Sequence, residues 1–79
     1  MYDSKTNGIN LVLEEIKGIE TLNEQYKKEL KDAQVGTGLC SGLPKNTRES
    51  IVKTLIKHIT DNENSITEML AYVREIENE

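Results

Sequence analysis

The single histidine, His58, and the single cysteine, Cys40, are the side chains in this sequence whose ordinary titration lies nearest neutral pH, and catalytic constellations around them are scarce. Nucleophilic catalysis needs a base within hydrogen-bond reach of the nucleophile and a group to stabilise the developing charge. No histidine lies near Cys40 in sequence, and one histidine cannot supply such a set. His58 also lacks the H-E-x-x-H, Glu-x-x-His or paired-cysteine surroundings of a metal ligand, and it is expected at the surface or the edge of a helix seam. Gly36-Thr37-Gly38-Leu39-Cys40-Ser41-Gly42 is not a phosphate-binding loop: no strand precedes it and the Gly-Lys-Ser/Thr ending is missing. Cys40 therefore reads as an ordinary small loop residue. The run Asp61-Asn62-Glu63-Asn64 lacks the glycine and the later glutamate of a calcium loop and reads as a soft polar point within a helix. The expectation is a protein that is not an enzyme and carries no metal or cofactor.

The elements that hold these residues follow from hydrophobic spacing. No proline occurs between Ser4 and Gln34, and Ile9, Val12, Ile16, Ile19, Tyr26, Leu30 and Ala33 recur at helical intervals, which predicts a first helix over about 4–34. Gly8 and Gly18 weaken it by roughly 1 kcal/mol each relative to alanine. Residues 35–46 hold three glycines and the only proline and form the turn. Asn46 followed by Glu49 resembles a capping box, and Val52, Leu55, Ile59, Ile66, Met69, Val73 and Ile76 continue the spacing, which predicts a second helix over about 47–77.

Both helices carry a heptad pattern, in which apolar residues at the a and d positions form a seam. Folding the chain at the loop places every a opposite a d: Ile9 meets Ile76, Ile16 meets Met69, Leu30 meets Leu55, and Ala33 meets Val52. The polar interruption of each track, Asn23 and Asn62, falls in one layer. A slip of register would bury an amide without its partner at about 1–3 kcal/mol, so this pair is expected to set the register. The fold expected is all-α, an antiparallel two-helix coiled-coil hairpin in a single domain, dimerising into a four-helix bundle.

The reason for expecting a dimer is surplus apolar surface on a small chain. Seventy-nine residues without Phe or Trp make a marginal closed core. A two-helix seam needs only a and d positions, yet Leu13, Ile56 and Leu70 occupy e positions and Leu22, Ile51 and Tyr72 occupy g positions. These six are the expected partner or dimer interface. Charge is uneven as well. Residues 27–57 carry seven basic and three acidic side chains, a net of +4, and the remainder carry three basic and eleven acidic, a net of −8. Lys45, Arg48 and Lys53 form a basic loop tip, although positive charge at a helix N-terminus opposes that helix's own dipole.

The overall charge of −4 disfavours a dedicated DNA binder, because such proteins draw affinity from cations that displace counterions. No apolar run reaches the length of a signal peptide or membrane span, so the expected location is cytoplasmic, with no membrane partner.

Ser41-Gly42-Leu43-Pro44, leading through a polar spacer to Ile51-Val52-Lys53-x-Leu55-Ile56, resembles a family of small phage and prophage proteins of unassigned function. In that family a long helix, a Ser-Gly-Met/Leu-Pro loop and a second helix are similar to the N-terminal part of ArpU-type late-gene transcriptional regulators. The resemblance covers about the last half of the chain and the helical character of the first. It implies a phage-encoded helical hairpin with a regulatory or interaction role, acting in the host cytoplasm. The helix-turn-helix of the longer regulators has no counterpart here up to Glu79, and no functional residue carries over.

The function expected is a non-enzymatic protein-interaction module, a phage regulator or inhibitor of a host protein. Two alternatives stand beside it: a small transcriptional regulator touching nucleic acid or polymerase through the basic tip, and a bundle-forming component of a phage assembly.

Overall fold

A computed structural model describes residues 4–78. It consists of helix α1 over Ser4–Val35, a single 3-10 turn over Gly38–Cys40, and helix α2 over Lys45–Glu77, with no strand among the described residues. The helices run antiparallel against each other as an all-α hairpin. The molecule is a rod, 58 × 19 × 12 Å, and its radius of gyration of 17.4 Å exceeds the roughly 12 Å of a compact domain this size.

The seam explains why two such helices persist in spite of Gly8 and Gly18, which α1 runs through without a break. Nothing lies within 4 Å of where a β-carbon would sit on either glycine, so neither is there to admit a close neighbour. Of the sixteen a and d residues, Ile16, Asn23, Ala33, Leu55, Ile59 and Val73 are buried and the other ten are half-buried; none is exposed. Side chains one layer apart alternate between the helices, and each helix hides its apolar stripe on the other.

The turn is more ordered than a glycine-rich run suggests. α1 ends where Gly36 takes the left-handed conformation, φ 83°, and the amides of Gly36 and Thr37 both donate to the Asp32 carbonyl, at 2.7 and 3.0 Å. Gly38 is also left-handed, and a β-carbon there would meet the Asp32 carboxylate at 2.5 Å. That carboxylate accepts from the Thr37 hydroxyl at 3.1 Å. Ser41 and Leu43 amides then close tight turns onto Gly38 and Cys40.

Cys40 is a residue of the turn, as expected, and is buried there at 7% exposure. One boundary differs from the sequence reading. α2 begins at Lys45, two residues early, and the Asn46–Glu49 capping box does not form. The reason is Pro44, whose fixed φ of −60° and free carbonyl start the helix, with the Arg48 amide donating to it at 3.0 Å. Asn46 is thereby drawn into the first turn, and Glu49 faces Lys45 at 4.0 Å in an exposed pair.

Candidate functional site

The middle of the rod holds a polar layer. Asn62 donates its side-chain amide to the Asn23 carbonyl oxygen at 2.8 Å, and Asn23 donates in turn to the backbone carbonyl of Ile59 at 3.3 Å. Asn23 is buried at 4% exposure and Asn62 half-buried, and among the described residues no buried side-chain nitrogen or oxygen lacks a partner. The two amides satisfy each other in the layer where the heptad alignment puts them.

Arg48 is placed differently from the other two residues of the basic tip. Lys45 and Lys53 are exposed, whereas Arg48 is half-buried and donates to the carbonyls of Ala33 and Gln34, at 3.3 and 3.5 Å. Those carbonyls belong to the last turn of α1, where no amide of the helix follows to bond them. A guanidinium that opposes the dipole of α2 therefore completes the dipole of α1, whose negative end lies beside it in an antiparallel hairpin. The charge pattern that looks unfavourable along one helix is favourable across the pair.

The surplus apolar residues are exposed but do not make a single stripe. Leu13, Leu22, Ile56, Leu70 and Tyr72 lie between 40% and 53% exposed, and Ile51 is half-buried. Around a heptad, e and g positions fall on opposite flanks of the seam, and in an antiparallel pair e packs beside e and g beside g. One flank thus carries Leu13, Ile56 and Leu70, and the other carries Leu22, Ile51 and Tyr72. Leu13 and Leu70 share a groove of about 510 Å³ over Ile16 on the first flank, while Tyr72 borders another of about 300 Å³ with Val12 and Met69 on the second.

Each flank has its own polar character. The e flank has Glu20, Lys27 and Glu63 around the mid-rod, and at the loop end a groove of about 410 Å³ floored by Ala33 and Val52 and rimmed by Lys45 and Lys53. The g flank is aromatic: His58 stacks on Tyr26 with ring centroids 5.6 Å apart at 26°, between Ile51 and Leu22 in the heptad order. His58 is exposed, at the seam edge.

Sequence reasoning missed the exposure of three aliphatic residues at the turn, Val35 at 63%, Leu39 at 85% and Leu43 at 37%. The signal for Leu39 lay in Gly38-Leu39: a left-handed glycine beside it turns the chain so that Cys40, and not the larger leucine, points inward. Among the described residues no helix is long and apolar enough to cross a membrane, and no three His, Cys, Asp or Glu side chains are grouped to hold a metal ion. Comparison of the chain with protein-family models, curated proteins and solved structures finds no match.

Proposed function

We propose that the chain is a non-enzymatic protein-interaction module, a helical rod that self-associates and presents its remaining surface to another protein. The observation that carries this is the set of Leu, Ile and Tyr side chains left outside a seam that is complete without them. Exposed large apolar residues on both flanks of a narrow rod are costly in water, and covering them with protein is the ordinary way they become favourable. The resemblance of Ser41–Pro44 and the start of α2 to small phage proteins supports a role as a regulator or inhibitor of a host protein in the cytoplasm.

A nucleic-acid role draws on the basic tip, and Arg48 weakens it. With that guanidinium held by Ala33 and Gln34, the tip offers Lys45 and Lys53 to phosphates but not the third cation of the expected set. A bundle-forming part of a phage assembly uses the same flanks, but needs no partner beyond copies of the chain.

The test replaces Leu13, Leu22, Ile56 and Leu70 with serine and follows helicity by circular dichroism alongside cross-linking of the tagged chain in host extract. Helicity is expected to survive, because all four lie outside the seam, while cross-linked protein partners disappear. Partners that remain unchanged would show that the flanks are not the surface. A gel shift of DNA or RNA at low salt, lost when Lys45 and Lys53 are neutralised, would instead favour the regulator reading.

A further inference from the structure

We infer that the e flank is covered by a second copy of this chain lying head to tail, so that the open end of each hairpin seats on the loop end of the other. The inference rests on the interaction reading above and adds to it the occupant, the flank and the orientation.

The area to be covered is the first argument. The chain exposes 6062 Å², whereas a folded monomer of 9.0 kDa exposes about 4,900 Å² by the usual scaling of surface with mass. The surplus is roughly 1,200 Å², and a stable interface removes about 800 Å² from each partner. One rod-on-rod interface of that size fits within the surplus and covers about two thirds of it.

Charge decides the orientation. A two-fold axis along the rod would stack the +4 loop end on another +4 loop end, and the −8 remainder on its like. A two-fold axis across the rod sets each loop end beside the other copy's acidic end and makes α1 pack on α1 and α2 on α2, both antiparallel. Exposed charges a few ångströms apart lie inside the screening length of about 8–10 Å, so this difference is felt at contact.

The flank follows from what then meets. With the rods overlapping over nearly their full length, Leu13 and Leu70 of one copy reach the groove over Ala33 and Val52 of the other, between Gln34 and Lys53. In the same register Lys27 comes between Glu20 and Glu24 of the second copy, and Arg74 faces Glu49. Glu24 lies nearest the axis, beside its counterpart in the second copy, and the Lys27 side chains of the two copies lie within reach of that acidic pair. On the g flank the same operation opposes Glu15 to Asp32, two like charges, so opposite charges favour the e flank. The aromatic g flank, with its Tyr26–His58 stack, stays open to another protein.

The experiment is light scattering on the full chain at low and high salt, with two double variants checked for helicity. Wild type and Leu22→Glu/Tyr72→Glu are expected to have twice the chain mass, and Leu13→Glu/Leu70→Glu the mass of one chain. Raising the salt should shift wild type toward monomer; a head-to-head pair would be strengthened by salt, and that result overturns the orientation. Loss of the dimer in the g-flank variant alone overturns the flank. A wild-type monomer overturns the second copy as occupant but leaves the interaction reading standing, since cross-linking to other proteins is read separately. As a second measurement, again with helicity checked, Glu24→Cys in a Cys40→Ala background should oxidise to a covalent dimer while Glu14→Cys in the same background does not; the reverse outcome also overturns the register.

Discussion

Arg48 shows how one side chain can be misjudged when only its own helix is considered. In sequence it is a cation in the first turn of α2, where the amide ends repel it; in space its guanidinium satisfies two carbonyls at the end of α1. Removing it leaves those carbonyls to water and takes a positive charge from a helix C-terminus, a loss of about 1–2 kcal/mol in a partly buried setting. Arg48→Ala is therefore expected to lower the thermal midpoint by several degrees in a circular-dichroism melt, while Lys53→Ala, exposed and unbonded to those carbonyls, changes it little. Equal effects from the two would mean that the contact adds nothing. The burial of Cys40 was not legible for a related reason. Gly36, Gly38 and Gly42 around it all take positive φ, and a run of glycines announces such freedom without saying which way it will be used.

At the scale of the helices, most of the architecture was legible in the sequence. Heptad spacing is a direct record of which residues must leave water, so the hairpin could be read from the positions of isoleucine, leucine and valine alone. The boundary of α2 could not, because two start signals competed and proline's backbone constraint prevailed over the side-chain cap of Asn46. The division of the apolar flanks was implicit in the e and g labels, yet counting them together as one stripe concealed it. The Asn23–Asn62 layer gives this scale its prediction. Asn62→Ala strands a buried carbonyl oxygen and should cost about 1–3 kcal/mol in a denaturant titration. Replacing both with valine should be close to neutral in stability, with looser register seen as broadened spectra of the seam methyl groups. An undiminished stability in the single variant would show that water serves Asn23 equally well.

For the whole molecule the governing fact is shape. A rod 19 × 12 Å in section has no residue far from its surface, and even its buried seam positions are one side chain deep. Such a chain gains more from a neighbour than a globule of equal mass would, since every added contact converts half-buried seam into core. Its midpoint of thermal unfolding is accordingly expected to rise with protein concentration, as association adds to the stability of the folded hairpin. A midpoint that stays constant from micromolar to millimolar chain would show that the hairpin is stable alone. The candidate surfaces were legible as a surplus of apolar side chains, but their partner was not, because a sequence records what must be covered and not by what.

The two-stranded form also has a mechanical consequence. Force that pulls the open ends of α1 and α2 apart acts on the seam one layer at a time, beginning with Ile9 and Ile76, and peels it like a zipper at low load. Force applied along the rod, by contrast, strains all the layers together in shear. The peeling front passes the Asn23–Asn62 hydrogen bond midway along the rod and reaches the Arg48 clasp on α1 last.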